Sequence, residues 1–158
     1  MRKLTVTMQN QEKLIRWAEP RMGVEPGHMP SETVAMGVLD EAGEIQAVIC
    51  LNAFYGNCAS LHLASNGNKR WLSRKVLRVV FGYAFHFRKL RRLNFVVSVW
   101  NVPVQVLALK VGLRVEGYTR CGANDGSDGI LFGMLAEECP WLSATREVMQ
   151  DGQVSTKA

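Results

Sequence analysis

The chain has 158 residues, of which 47% are hydrophobic, and this length suits one globular domain with its own core. Its longest apolar runs, such as "FVVSVW", are far shorter than the roughly 20 residues that span a bilayer. The N-terminal "MRKLTVTMQNQEK" also turns polar before a signal sequence could form. We therefore expect a soluble, cytoplasmic protein with one domain over residues 1–142. Apolar periodicity is lost over residues 143–158, which we expect to form a flexible tail.

The cysteines argue against a metal site. Cys50, Cys58, Cys121 and Cys139 form no CxxC pair, and no histidines stand at a spacing that zinc sites use. We expect reduced, mostly buried thiols and no bound metal.

Positive charge is concentrated in one part of the chain, whose net charge is +5. No Asp or Glu occurs from residue 45 to residue 115. The same stretch contains Lys69, Arg70, Arg74, Lys75, Arg78, Arg88, Lys89, Arg91, Arg92, Lys110 and Arg114. Such clustering favours a polyanionic partner, which could be a phosphorylated cofactor, a nucleic acid or an acidic protein surface. Residues 88–92 could instead form a solvent-exposed helix face that aids solubility and binds no polyanion.

The first half of the chain predicts a helix followed by three strands. Residues 10–22 have the apolar spacing of a helix that ends near Pro20. The segments "TVAMGVLD" and "IQAVICLNAF" are rich in strand formers, and the turn "EAGE" between them suits a hairpin. The segment "CASLHLAS" alternates apolar and polar residues, which indicates a third antiparallel strand.

The second half predicts a helix, a strand, another helix and two strands. Apolar residues at spacings of three and four give the first helix a core-facing side. That side consists of Leu72, Val76, Val79, Val80, Tyr83 and Phe87. The run "LNFVVSVW" predicts a central strand that is buried on both faces. Asn101 is a candidate cap of the next helix, which Gly112 would end.

Two further strands, "LRVEGYTR" and "GILFGMLA", are joined by the polar loop "CGANDGSDG". The order of all these elements predicts an α/β or α+β domain around a mixed sheet.

The segment "SNGNKRWLSR" has the chemistry of an anion site. It leads from a predicted strand into a helix N-terminus, where unpaired backbone N–H groups and the positive end of the helix dipole favour phosphate. Neither a GxxxxGK[ST] loop nor a GxGxxG turn is present. The segment therefore has no nucleotide-binding motif that would identify which phosphate compound it binds.

The same region resembles the acetyl-coenzyme A binding core of the GCN5-related N-acetyltransferases (GNATs), and is most similar to small members encoded by phages and prophages. The similarity is strongest over residues 58–142, and the matching pieces are "LHLAS", "KRWLSR", "LNFVVSVWN", "VGLRVEG" and "GILFGMLAEECPWL". The resemblance implies a mixed, mostly antiparallel central sheet flanked by helices. It also implies acetyl-coenzyme A as cofactor.

The resemblance further implies a cofactor site in the basic turn. Backbone amides of residues 70–74 would hold the pyrophosphate, and nearby cations would supply charge. The residues concerned are Lys69, Arg70, Trp71, Leu72, Ser73, Arg74 and Lys75. Trp71 would pack over the cofactor or anchor the start of the helix. Asn101 would contact the pantetheine arm, or only cap its helix.

The sequence departs from the GNAT pattern at three places. The paired glycines of the family's pyrophosphate turn fall on Trp71 and Ser73, so backbone must approach the cofactor with side chains present. The tyrosine that often protonates the leaving thiolate falls on Ala108. The family's "GF" is Gly112 followed by Leu113.

His62 is the candidate general base. Acetyl transfer needs a deprotonated amine, and the stretch without acids excludes a carboxylate base on "LHLAS" or "LNFVVSVWN". His62 is the one side chain on those strands whose ordinary pKa suits the task. We expect it to share a strand face with Ser60 and Ala64. The alternative is a hydrogen-bonded structural or substrate-contact histidine.

Two functions remain open from the sequence. The first is an acetyl-coenzyme A dependent N-acetyltransferase that acts on a primary amine of a protein or small molecule, with His62 and Asn101 in its active site. The second is a catalytically silent phage protein of the same fold, used as a virion, host-interaction or nucleic-acid-binding component. The sequence identifies neither the acceptor nor the oligomeric state, for which a dimer is one option.

Overall fold

The computed structural model describes residues 3–142, 148–150 and 153–155. Its strands are β1 (Thr5–Thr7), β2 (Val34–Leu39), β3 (Ile45–Tyr55), β4 (Cys58–Ser65), β5 (Arg92–Ser98), β6 (Arg114–Thr119), β7 (Gly129–Leu135), β8 (Val148–Gln150) and β9 (Gln153–Ser155). Its α-helices are α1 (Gln11–Ala18), α2 (Arg74–Gly82) and α3 (Val102–Val111). No helix in the described part of the chain is long and apolar enough to cross a membrane.

All described strands belong to one sheet, in the order β6-β7-β5-β4-β3-β2-β1-β9-β8. Strands β4 and β5 pair in parallel, and every other neighbouring pair is antiparallel. The predicted fold class, a mixed and mostly antiparallel sheet flanked by helices, is confirmed. The hairpin β2–β3 and the antiparallel placement of β4 are confirmed as well.

Helices cover the two faces of the sheet unequally. Helices α2 and α3 pack on one face and form the larger core, which includes Leu93, Phe95 and Val97 of β5. On the other face, α1 forms a smaller core that reaches only β2, β3 and β4. The prediction that β5 is buried on both faces is therefore wrong, because no helix in the described part of the chain covers its second face. Val96 on that face is 39% exposed.

Helix α1 begins at a cap and packs closely on the sheet. The Asn10 side chain accepts a hydrogen bond from the Lys13 N–H and satisfies one of the free donors of the first turn. Leu14 lies directly over Gly37 of β2, where an added Cβ would stand 2.5 Å from the leucine Cδ2. The predicted helix over residues 10–22 is confirmed, with its last four residues as a 3-10 helix (Glu19–Met22).

Helix α2 presents Val76, Val79 and Val80 to the core, and Tyr83 directly after it is buried there too, as predicted. Its continuation is a π-helical turn (Tyr83–Phe87), in which the Arg88 N–H donates to the Tyr83 carbonyl five residues earlier. The wider turn changes the helical phase, so Phe87 is 59% exposed and the prediction for this residue is wrong. Leu72 lies before the helix and is half-buried.

Helix α3 is bounded as the sequence predicts. Asn101 caps it by accepting from the Val104 N–H, and Gly112 ends it with a φ of 107° that favours glycine. The indole of Trp141 donates to the Val111 carbonyl at 2.7 Å, which fastens the end of α3 to the chain that follows β7. This contact gives Trp141 a structural role.

Strands β1, β8 and β9 were not predicted, because three residues are too few to show a period. Strand β9 pairs with β1, so part of the predicted tail extends the sheet. Residues 143–147, 151–152 and 156–158 lie outside the described residues. The flexibility of the tail and the domain boundary at residue 142 stay predictions.

Candidate functional site

The parallel strands β4 and β5 separate along their length. They pair only at Cys58 with Arg92, Ala59 with Leu93, and Ser60 with Asn94. Beyond these pairs, β4 continues to pair with β3 and β5 with β7, while their facing edges do not pair with each other. The backbone groups along this opening are therefore available to a ligand. This opening is the geometric centre of the candidate site.

The basic turn at one end of the opening leads into α2. The Asn68 side chain accepts from the Arg70 N–H at 2.9 Å, and the Ser73 hydroxyl accepts from the Val76 N–H at 3.1 Å. Within the described residues, we find no acceptor for the N–H groups of four residues at the helix start. These are Trp71, Ser73, Arg74 and Lys75. Unpaired donors at a helix N-terminus are suited to phosphate oxygens.

The two residues that replace glycine keep their side chains out of this turn. Trp71 is 5% exposed and lies in the core, while the Ser73 hydroxyl is folded back onto its own helix. Ser73 has an extended backbone (φ −137°), and Trp71 also lacks a positive φ, so neither position needs glycine's conformational freedom. The structure supports the interpretation of Trp71 as an anchor of the helix start.

The cations of the turn differ in whether their side chains are already engaged in a hydrogen bond. Lys69, Arg70 and Arg74 are exposed beside the unpaired N–H groups. Lys75 instead donates to the Leu4 carbonyl at 3.3 Å and is directed toward the strand β1 side. Lys69, Arg70 and Arg74 are therefore the better candidates to supply charge to a phosphate.

A cleft of about 280 Å³ opens on the α1 side of the separated strands. Polar side chains along it come from four elements: Arg21 from the 3-10 helix, His62 from β4, Ser98 from β5, and Asp125 from the β6–β7 loop. The amide of Asn124 in this loop donates to the Met22 carbonyl at 3.0 Å and bridges the cleft. The structure thus brings His62 and Asn101 to one cleft, and the basic turn to the other side of the sheet.

A smaller apolar cavity of about 50 Å³ lies on the α2 side. Leu63 and Phe95 line both this cavity and the polar cleft, so the two meet at the opening between β4 and β5. Ala108 is buried here at 2% exposure. No tyrosine or cysteine lines either space within the described residues. The lining residues therefore offer neither a phenol nor a thiol to protonate a thiolate.

His62 lies beside the cleft with one nitrogen engaged. Its Nε2 is 2.7 Å from the Asn52 side-chain oxygen on the neighbouring strand. Burial lowers the pKa of the imidazole below its ordinary value of 6.5, so the ring is neutral near pH 7. A neutral imidazole can accept a proton, which is the state that a general base requires. The face shared with Ala64 is confirmed, since Ala64 packs against α1.

Glu116 is the first carboxylate after the stretch without acids, and it is not available as a base. Both of its oxygens accept from the Arg92 guanidinium, at 2.7 and 2.6 Å. This pairing lowers the pKa of Glu116 and holds its carboxylate over Gly133. Glu116 is therefore excluded as the general base, and His62 remains the candidate.

The lowered pKa of His62 makes stability depend on pH. The unfolded chain binds a proton at this histidine at a higher pH than the folded chain, so the free energy of unfolding falls as the pH drops below about 6.5. The slope from one group is at most about 1.4 kcal/mol per pH unit. Urea unfolding at pH 7.5 and at pH 5.5 measures it. We expect a smaller difference in His62→Gln, and an identical difference would refute this linkage.

Four residues in the cleft or in contact with His62 were missed by the sequence interpretation. Asn52 stands in the apolar run "IQAVICLNAF" and is only 4% exposed, so a polar residue inside a strand was the available signal. Asn124 and Asp125 were seen only as turn formers in "CGANDGSDG". Arg21 carried no signal. The four cysteines are unpaired, and no group of metal-binding side chains occurs among the described residues.

Solved structures with a similar fold are acetyltransferases. A chimera of the spermidine N-acetyltransferase SpeG from Vibrio cholerae and hSSAT has a TM-score of 0.68 at 13% identity, covering 85% of this chain and 96% of that chain. A complex of the Vibrio cholerae enzyme with CoA and spermine gives a TM-score of 0.68 at 14% identity, with 85% and 96% covered. These likenesses establish the GNAT fold.

A third structure has higher sequence identity over a shorter stretch. It is a putative ribosomal-protein-serine acetyltransferase from Vibrio cholerae, with a TM-score of 0.58 at 26% identity, covering 66% of this chain and 65% of that chain. No family model and no curated protein sequence matches the chain. The similarity to phage-encoded members stays a prediction.

Proposed function

We propose that this protein is an acetyl-coenzyme A dependent N-acetyltransferase that acetylates a primary amine. The observation that carries the proposal is the opening between β4 and β5, which joins a basic turn at one end to a cleft containing a neutral histidine. The acetyltransferases of similar fold support it, and one of them was solved with CoA and spermine. They give no support to nucleic-acid binding by the basic residues.

The unpaired N–H groups before α2, with Lys69, Arg70 and Arg74, bind the cofactor's pyrophosphate in this proposal. The edges of β4 and β5 hold the pantetheine arm by backbone hydrogen bonds, and a backbone N–H at the opening polarises the thioester carbonyl. Asn101 stands at the rim of the polar cleft, where it caps α3 and faces the arm. Ordering both reactants across one opening supplies much of the rate acceleration.

The acceptor amine enters from the polar cleft. Its nitrogen forms a bond to the acetyl carbon while the carbon–sulfur bond breaks, and the amine's proton passes to His62. Because tyrosine and cysteine are absent from the described lining residues, the thiolate takes its proton from solvent or from the protonated His62. Ala108 therefore leaves the thiolate without the tyrosine donor that the GNAT pattern has at this position.

Asp125 attracts the acceptor in this proposal. Its pKa is lowered by hydrogen bonds from Ser127, so it remains a carboxylate at the rim of the cleft. We expect Asp125→Asn to raise the KM for a cationic amine several-fold and to leave the KM for acetyl-coenzyme A unchanged. Steady-state kinetics with spermidine as the probe measure both constants. An equal change in both would place Asp125 outside acceptor binding.

The direct test of the activity is release of coenzyme A thiol. Purified protein is incubated with acetyl-coenzyme A and one of three acceptors: spermidine, a peptide with a free N-terminal serine, or a peptide with an internal lysine. We expect acetylated product and stoichiometric thiol with at least one acceptor. Binding of acetyl-coenzyme A without product for any amine would instead favour the catalytically silent alternative, to which Ala108 points.

A further inference from the structure

The hydrogen-bond partner of His62 is a buried amide that also contacts a threonine. Asn52 is buried on β3, and its side-chain nitrogen donates to the Thr33 hydroxyl at 3.3 Å. In this orientation the amide oxygen faces His62 Nε2, 2.7 Å away. Thr33 is itself only 7% exposed, and its N–H donates to the Pro30 carbonyl. The three side chains therefore form a line from the loop before β2 to the cleft.

The line is anchored at a second point. Directly after Asn52, the chain adopts a left-handed conformation at Ala53 (φ 49°), whose N–H donates to the Glu32 carboxylate at 3.1 Å. Residues 30–33 are thus tied to the end of β3 both by Glu32 and by Thr33. A local irregularity of the β3–β4 pairing begins after the same Asn52. The backbone on both sides of this contact is therefore held in place.

This arrangement determines which nitrogen of His62 carries the proton. With the Asn52 amide in this orientation, its oxygen accepts from His62, so Nε2 is the protonated nitrogen of the neutral ring. His62 Nδ1 has no hydrogen-bond partner among the described residues, and the side chain lines the polar cleft. Its lone pair is therefore available to an acceptor amine. The opposite tautomer would leave two lone pairs facing each other at Asn52.

We infer that Asn52 and Thr33 are positioning residues that fix His62 as the Nε2–H tautomer and make Nδ1 the nitrogen that receives the acceptor's proton. The catalytic part of this inference rests on the proposed function, whereas the tautomer is a property of the protein alone. Cys50 on β3 stands opposite His62, Arg21 of the 3-10 helix and Asp125 of the loop line the same cleft, and Glu19 interacts with Cys50. Burial, and none of these charges, accounts for the low pKa of His62.

The tautomer is measured directly by long-range proton–nitrogen NMR of the wild-type protein without ligand. The chain contains three histidines, and His28 and His86 are exposed, so variants at those two positions assign the His62 signals. We expect a protonated Nε2 and a bare Nδ1 near pH 7. A protonated Nδ1 would overturn the inference. This result does not depend on turnover, so it remains decisive if no acetyl transfer is found.

Substitution of Asn52 tests the coupling. Asn52→Asp has the same size but puts a carboxylate against Nε2–H, which stabilises the imidazolium. We expect the pKa of His62 to rise in NMR titrations and the acid limb of the pH–rate profile to move up with it. An unchanged pKa in the folded variant would contradict a direct bond between the two side chains.

Thr33→Val is a milder variant for the case in which Asn52 variants fail to fold. It removes the hydroxyl that orients the amide, so we expect a mixed His62 tautomer and turnover lower by about 10- to 100-fold. Thr7→Val on β1 is the matched control, because it removes another buried threonine hydroxyl away from the cleft. Equal effects of the two valine variants on tautomer and turnover would reduce Thr33 to a structural residue.

Discussion

His62→Ala is expected to lower turnover by about 100- to 10,000-fold while acetyl-coenzyme A affinity stays nearly unchanged, because losses of this size are typical when a general base is removed. His62 lines the polar cleft, whereas the basic turn lies on the α2 side of the sheet, so turnover and cofactor affinity should respond separately. Steady-state kinetics and calorimetric titration of the folded variant measure them.

The pH–rate profile adds a second criterion for His62. Because burial lowers the pKa of this imidazole, the acid limb should lie below the ordinary histidine pKa of about 6.5 and disappear in His62→Ala. His28→Ala is the control, since His28 is exposed and does not line the cleft. More than about half of wild-type turnover in His62→Ala would attribute the rate to approximation of the substrates alone.

Charge reversal in the basic turn should weaken coenzyme A binding at least tenfold, which corresponds to about 1.4 kcal/mol. The variant is Arg70→Glu combined with Arg74→Glu. Both side chains are exposed beside the unpaired N–H groups, so the fold should persist while the pyrophosphate meets negative charge. Calorimetric titration with coenzyme A gives the affinity, and circular dichroism checks the fold.

A matched double variant separates the effect of charge in the turn from the effect of the protein's net charge. Lys13→Glu with Arg120→Glu makes the same change in net charge at two other exposed positions, one on α1 and one after β6. We expect near wild-type affinity for this control at physiological salt, where charges more than about 8 Å apart are largely screened. Equal losses in the two double variants, or no loss in the first, would remove the turn from the site.

Local signals were sufficient for most of the fold. Asn101 and Gly112 mark the ends of α3 because capping and left-handed geometry depend on neighbouring residues alone. The exposure of Val96 could not be read from β5, because it depends on how far α1 extends across the sheet. Phe87 was misplaced because a π-helical turn changes the period without a distinctive sequence pattern.

The candidate site was predictable only in part. The basic turn and His62 follow from charge distribution and from the absence of acids between residues 45 and 115. The contacts of His62 could not be predicted, since Asn52 and Thr33 come from separate parts of the chain. The same holds for the Asn124 bridge to Met22, which joins residues 102 positions apart. Such contacts are products of strand register and loop packing.

Calorimetric titration of acetyl-coenzyme A into the wild-type protein tests the central claim most directly. The separated strands, the unpaired N–H groups before α2 and the three exposed cations predict one site per chain with a dissociation constant in the micromolar range. Displacement by coenzyme A should occur at the same site. Absence of binding by folded protein at millimolar acetyl-coenzyme A would contradict the proposed acetyltransferase function.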